Sequence, residues 1–512
     1  MSGKSRSEKA FINSVSGVAD ELVSLACNLV LTRVILTAFG SAYNGITASI
    51  IQFISCISLM RAGIGGVTRV ALYKPLAEKN YHDISAVVAQ TEKFMRRIAM
   101  FFAAFAVVFA AIYPVWVSKE FDWLFSASLV IIVSFSTFAQ YYFGLTYKLV
   151  LSADQRFNVV CLVDMASKAL NLLISVVLVR AGAGIHLVKL GSSAVHVLSP
   201  VFLCVYTRRE YHIDTGVQVK TDLLRQRWDA VGHEVANFVN NNTDIMLLTF
   251  FTDLRTVSVY TIYHRVTESI HNAVLNTLSG VGPAFGNMNA RNEHELMRTN
   301  LRLYEVVIFS MTSTVFPAVM VMITPFAVLY THGVTDIDYS QPLFGLILAL
   351  AGVFTCFQIP YETVVNSVGH YKQTRNAAFA EAIINIVISV ACVIRYGLVG
   401  VAVGTLVAAV FRSFQYAIYL SRNIIKRSLS RFVWHMLLAL AICFGVYFGS
   451  ELYMIEIRTV WDWICMAAVT TLISFALTAV SDLLFYRSDT KAVLLKLKNM
   501  FFRKRGKQDR QV

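Results

Sequence analysis

The sequence predicts an all-α integral membrane protein of fourteen transmembrane helices, built as two six-helix lobes related by pseudo-two-fold symmetry plus a C-terminal helix pair. Three observations carry that prediction. The 512 residues are 56% hydrophobic with a mean hydropathy of +0.59, more apolar surface than a water-soluble fold tolerates. Apolar stretches of about 20 residues, enough to cross the hydrocarbon core, follow one another along the whole chain. The chain also resembles itself at an offset near 214 to 217 residues.

The spans are expected at 11–36, 44–71, 95–117, 123–147, 157–180 and 184–206 in the first lobe. They recur at 230–252, 256–283, 303–331, 342–365, 376–395 and 397–420 in the second, with 432–452 and 459–486 as the added pair. With the N-terminus inside, loops on that side hold 33 of the 45 Lys and Arg and the opposite loops five. That asymmetry places both termini in the cytoplasm. The opening span carries Asn13, Asp20, Glu21 and Asn28 without a small-residue cleavage pattern, so no removable signal peptide is expected. The segment from Tyr73 to Arg97, amphipathic and basic, is expected to form an interfacial helix ahead of the third span.

The internal repeat places NLLISV from Asn171 on NIVISV from Asn385, Tyr147 on Tyr361, Tyr43 on Tyr260, and AGIGG from Ala62 on SGVGP from Ser279. An even number of spans in each copy makes the repeats parallel, related by an axis along the membrane normal. The expected domains are therefore a first lobe at 1–208, a cytoplasmic linker at 209–228, a second lobe at 229–428, the added pair at 429–486 and a basic cytoplasmic tail at 487–512. The tail is suited to anionic headgroups. In parallel-repeat transporters the solute site lies between the lobes near the midplane.

With Arg96, Arg97, Arg180 and Arg395 at span ends counted among the loops, seven basic residues fall inside expected spans: Arg33, Arg61, Arg69, Lys168, Lys189, Arg265 and Arg412. Each costs about 2.5 to 3.5 kcal/mol at the bilayer centre, which a chain retains where the residue faces a wet interior or a partner. The seventh span gathers His233, Asn237, Asn240, Asn241 and Asp244 on one third of the helical wheel, and the first span does the same with Asn13, Asp20, Ser24 and Asn28. The eighth is the densest, with Tyr263, His264, Arg265, Thr267, Glu268 and His271. Arg265 and Arg61 are the strongest candidates for binding an anion. Arg33, His264, His271, Asn237 and Asn241 are further lining candidates, and Lys189, His186, His196 and Arg412 weaker ones. Against this stands a local network, since Glu268 is within reach of both His264 and Arg265, and Asp164 of Lys168. Asp20, Asp244 and Glu268 are candidates for coupling to a proton or sodium gradient.

The eight cysteines lie within spans, without C-x-x-C spacing or histidine partners, and no metal site is expected. Gly63, Gly65 and Gly66 lack the Lys-Ser/Thr of a phosphate loop, and GHEVANF from Gly232 lacks the second histidine of a zinc hydrolase motif. No cofactor, no nucleotide-binding domain and no enzymatic activity are expected: the longest external loop, near His332 to Gln341, is too short to hold an acceptor substrate. The positive charge is spread over short loops rather than gathered on one face, which excludes nucleic acid as a partner.

The stretch YNGITASIIQFISCISLMRAGIGGVTRVALYKPLAEKN, from Tyr43, resembles the second helix and following loop of the polysaccharide and O-antigen flippases of the multidrug/oligosaccharidyl-lipid/polysaccharide exporter superfamily. The two Asn-x-x-Ile-Ser segments and the span layout extend the resemblance. It implies a V-shaped transporter that moves polyprenyl-diphosphate-linked oligosaccharide from the inner to the outer leaflet of the bacterial cytoplasmic membrane by alternating access. It further implies that Arg33, Arg61 and Arg265 attract the diphosphate, that the added helices hold the lipid tail, and that glycosyltransferases and a glycan polymerase work alongside. The alternatives are an ion-coupled multidrug or organic-cation antiporter of the same superfamily, which would want an acidic or aromatic cavity, and a lipid II flippase.

Overall fold

The computed structural model describes residues 6–61, 64–214, 228–277 and 281–495; the side chains of 6–11, 14, 228–237, 240 and 241 lie outside that description. All regular structure among the described residues is helical. In the first half it comprises α1 (Arg6–Phe39), α2 (Ser41–Ile54), α3 (Ile64–Glu78), α4 (Tyr81–Trp116), α5 (Trp123–Ala139), α6 (Leu145–Ala153), α7 (Phe157–Arg180) and α8 (Ile185–Glu210). It continues with α9 (Trp228–Phe251), α10 (Leu254–Thr277), α11 (Val281–Ala290), α12 (His294–Tyr330), α13 (Pro342–Ser367), α14 (Tyr371–Tyr396), α15 (Leu398–Asn423), α16 (Ser430–Gly449) and α17 (Val460–Phe485). Outward side chains such as Leu173, Ile394 and Leu472 are exposed, as a lipid solvent requires.

Twelve helices among the described residues are long and apolar enough to cross a membrane. The two expected spans that miss that test are α9 and α10, of 24 residues each. Each is about 36 Å long and so could span the core, but carries too many polar groups to register by hydropathy. The repeat is visible in the element order: α7 and α14 begin 214 residues apart.

Two expectations are corrected. The span expected at 44–71 is not one helix: α2 gives way to a 3₁₀ segment over Ser55–Arg61, and α3 begins at Ile64. The interfacial helix expected from Tyr73 to Arg97 is interrupted at Lys79, with φ 54, and Asn80, whose side chain accepts from the Asp83 amide and caps α4. Tyr81–Arg97 is thus the first stretch of a 36-residue helix that continues through the third span.

The chain divides into two compact units, 1–258 with 333–337 and 259–332 with 338–512. Unit 1 buries an aromatic seam in which Phe53, Phe109 and Tyr113 meet at 5.0 to 6.0 Å. A second cluster packs Tyr147, Leu151 and Leu203. In unit 2 Phe309 stacks on Phe357 at 4.5 Å, and α14 and α15 approach so closely that a Cβ on Gly404 would meet Ser389 Oγ at 2.0 Å. Gly404→Ala is therefore expected to lower stability by about 1 to 3 kcal/mol, the usual cost of overpacking, measurable as earlier thermal unfolding of the purified protein in detergent. An unchanged melting temperature would contradict this packing.

Each unit holds a buried carboxylate fixed by arginine beside a tyrosine. In unit 1 Glu92, on α4, accepts from Arg208 of α8 at 2.9 Å and from Arg96 at 2.6 Å, while Arg208 also donates to Tyr147 OH at 2.6 Å. In unit 2 the fully buried Glu305 of α12 is bracketed by the guanidinium of Arg427, with Arg431 at 3.4 Å and the Tyr361 ring 5.8 Å from the Arg427 guanidinium. Asp489, in the helical segment after α17, joins through Arg302 at 3.0 Å and Arg431 at 2.7 Å. Burial pulls the Asp489 carboxyl upward in pKa, yet these two guanidiniums win and hold it below its ordinary value. The network ties α12, α16 and the segment following α17 together.

Candidate functional site

Unit 1 holds a partly open cavity of about 330 Å³ between α2, α5 and α8, in which polar side chains stand among Ile51, Ile54, Ile57, Val133 and Leu145. Its wall on α8 is a stripe spaced i, i+3, i+4, i+7: Lys189, Ser192, Ser193 and His196. From α2 and its 3₁₀ extension come Thr47, Ser55, Ser58 and Arg61, and from the α5 side Ser136, Thr137, Gln140 and Tyr141. Gln140–Gly144 form a π-helical turn between α5 and α6, a distortion that often marks functional positions. It leaves Gln140 and Tyr141 on the cavity and brings Gly144 against Pro200 of α8, where a Cβ would stand 2.4 Å from the ring.

The cavity is long. Tyr43, Phe125 and His186 mark one level near the beginnings of α2, α5 and α8, with ring centroids 5.8 and 4.5 Å apart. At a rise of about 1.5 Å per residue, or about 2 Å in the 3₁₀ segment, Lys189 lies roughly 5 Å from that level, His196 about 15 Å and Arg61 about 30 Å. Arg61 and Lys189 therefore stand towards opposite ends. Among the described residues no carboxylate lies within 4 Å of either, whereas Arg61 is near enough to the Tyr141 phenol to interact with it electrostatically. His196 Nδ1 donates to the Ser192 carbonyl at 2.8 Å, directing Nε2 away from its own helix.

A second compartment of about 170 Å³ adjoins the first, sharing Gln140, Leu145 and His196. It is charge-balanced: Lys148 Nζ sits 2.8 Å from Asp164, which also accepts from Ser199 at 3.0 Å, and Lys168 sits 2.7 Å from Asp20. The i, i+4 pairing of Asp164 with Lys168 allowed by the sequence is thus replaced. α7 presents Asp164 to α6 and Lys168 to α1.

A family model described as "Polysaccharide biosynthesis protein" matches residues 45–333, more than half of the chain and all of the residues lining both compartments. The chain belongs to this family. No curated protein matches it by sequence. Among solved structures it is similar in fold to "Lipid II flippase MurJ, inward closed conformation", with a TM-score of 0.73 at 15% identity, covering 93% of this chain and 99% of that one. It is also similar to an inward-facing multidrug resistance MATE family transporter of the MOP superfamily, with a TM-score of 0.63 at 13% identity over 80% and 98% of the chains. A Vibrio cholerae MATE transporter gives a TM-score of 0.56 at 15% identity over 82% and 97%. The family is one of polysaccharide biosynthesis, and the fold is shared with those solved membrane proteins.

Within this polysaccharide-biosynthesis protein the other sequence candidates are distributed as follows. Arg265 is exposed on α10, and no described carboxylate lies within 4 Å of it. Glu268 pairs with His264 Nδ1 at 3.9 Å, and His264 stacks on Tyr260 at 5.2 Å, so the local network forms there without Arg265. His271 Nδ1 lies 3.7 Å from Cys356 Sγ of α13. Arg33 is half-buried on α1, Asp244 is buried on α9, and Asp20 is engaged by Lys168. The side chains of Asn237 and Asn241 lie outside the described residues. Their neighbour Asn242 bonds Gln52 of α2 and accepts from Ser55 at 3.3 Å, a contact the sequence does not single out. Arg412 is a structural group, buried at 3.2 Å from Glu381 and donating to Tyr416 OH at 2.7 Å.

Proposed function

We propose that the protein is a flippase carrying polyprenyl-diphosphate-linked oligosaccharide from the inner to the outer leaflet of the bacterial cytoplasmic membrane, for assembly of O-antigen, capsule or exopolysaccharide. The observation that carries this reading is the elongated cavity of unit 1, lined by hydroxyl and amide side chains among aliphatic ones and furnished with two basic side chains that no described carboxylate neutralises. An organic cation would be repelled there. A diphosphate is attracted, because Arg forks onto phosphate oxygens and a low-dielectric wall strengthens each contact. The serines, Thr137 and Gln140 supply hydrogen-bonding groups for phosphate or sugar hydroxyls, while the polyprenyl chain stays in lipid. Both termini then face the cytoplasm, glycosyltransferases supply the substrate and a glycan polymerase consumes it. Transport is driven by a proton or sodium gradient, or by consumption of the product outside.

Depletion of the protein in its host tests the reading. Lipid-linked oligosaccharide should accumulate facing the cytoplasm, and the lipid species that accumulates separates an oligosaccharide carrier from a lipid II flippase. Unchanged lipid-linked glycan together with a dye or cation efflux defect would identify an antiporter instead. Arg265, exposed in unit 2, is assigned a weak attraction for the diphosphate that does not hold it without a second cation. Arg265→Ala should lower glycan export about tenfold or more with the protein still inserted, and Arg265→Lys should recover part of it, since Lys keeps the charge and loses the fork. Normal export by the alanine variant removes Arg265 from the site.

A further inference from the structure

The geometry points to two separate phosphate stations along unit 1, Arg61 at one end of the cavity and Lys189 at the other, occupied in succession by one translocating diphosphate. This rests on the flippase reading and adds a path to it.

Counted from the shared level of Tyr43, Phe125 and His186, the helix rises place the Cα atoms of Arg61 and Lys189 roughly 25 Å apart in depth. α8 keeps step with α5 where Ser193 donates to the Ile132 carbonyl at 2.8 Å, and Arg61 lies near Tyr141 at the far end. Each side chain extends about 6 Å, so even side chains pointing at one another leave a gap wider than a diphosphate. Both residues nevertheless line the same cavity. One anion therefore cannot bridge them, and a site in which both grip it together is excluded by distance.

The interval between them offers polar groups set among Ile54, Ile57, Val133 and Leu145. Ser58, Gln140, Ser193 and His196 line it, so a dianion leaving one cation meets hydrogen-bonding groups before it reaches the next. The neighbouring compartment does not compete, because Lys148 and Lys168 are already neutralised by Asp164 and Asp20. By the loop-charge asymmetry of the sequence the Arg61 end faces the cytoplasm. Arg61 is then the station of entry and Lys189 the station of exit. A single fixed cluster would hold its anion until the cation geometry itself changed, whereas two weaker stations let it leave each in turn.

The test uses full-length protein in nanodiscs, with inorganic pyrophosphate as the binding probe, and the same variants in proteoliposomes carrying a polyprenyl-diphosphate oligosaccharide. Two stations predict that Arg61→Ala and Lys189→Ala each retain pyrophosphate binding at about half the wild-type capacity. The double variant should lose it by a hundredfold or more in affinity, and each single variant should transport at least tenfold more slowly. Arg61→Lys and Lys189→Arg should restore binding and much of the transport, which separates loss of charge from loss of fold. Abolition of binding by either single alanine variant, or wild-type transport by Lys189→Ala, overturns the relay. Two-station binding in a protein that moves no lipid-linked glycan would leave the stations standing and remove the flippase reading.

Discussion

Replacing Arg61 and Lys189 together with alanine is expected to reduce glycan export by at least a hundredfold without unfolding the protein. A hydrogen bond to a charged group contributes about 1.5 to 3 kcal/mol, which is roughly a tenfold to hundredfold effect for each station lost. Neither residue supports the fold through an ion pair to a described carboxylate, so removing them empties the cavity of charge and leaves the packing of α2, α5 and α8 in place. The check is radiolabelled glycan export in a strain carrying the variant, normalised to inserted protein. Export within threefold of wild type would mean that the cavity is not on the path.

The second large effect concerns stability. Breaking a buried ion pair by removing one partner costs about 3 to 5 kcal/mol, because the remaining charge is left uncompensated. Glu305 is fully buried between Arg427 and Arg431, and Arg431 also reaches Asp489 beyond α17. Arg427→Ala should therefore unfold unit 2 at markedly lower temperature and loosen α16 and α17 from α12. Glu92 in unit 1 should be more forgiving: Arg208→Ala leaves it Arg96 at 2.6 Å on a half-exposed edge, whereas Arg427→Ala leaves Glu305 fully buried with Arg431 at 3.4 Å. Differential scanning fluorimetry of both variants decides the matter, and equal, small shifts would refute the ranking.

The sequence made the membrane class and the repeat readily legible, because lipid imposes long apolar helices and two copies of one lobe must solve that problem in the same way. The 214-residue offset survives as the paired starts of α7 and α14. Less legible was where a helix would bend. The run from Tyr43 to Val70 is mostly apolar, and nothing in its periodicity shows that Ser55–Arg61 winds as a 3₁₀ segment, just as nothing in the fourth span shows that Gln140–Gly144 adds a π turn.

The site was half legible. Arg61 stands out as a charge in an apolar run, but Lys189 and His196 acquire meaning only as an i, i+7 pair on the face of α8 turned towards α2 and α5, and a helical wheel does not say which neighbour a face meets. The same limit explains Lys168. Its i, i+4 carboxylate was visible in the sequence, while Asp20, its actual partner at 2.7 Å, lies 148 residues away. Arg412 and Glu381 form a buried structural pair for the same reason.

The account is tested most directly by reconstituting the purified protein into liposomes whose inner-leaflet-mimicking face carries a fluorescent polyprenyl-diphosphate oligosaccharide, and measuring its appearance on the opposite face. The account predicts translocation that wild-type protein supports and the Arg61→Ala/Lys189→Ala variant does not. Translocation at equal rates by both, or none by wild type alongside uptake of an organic cation, would contradict it.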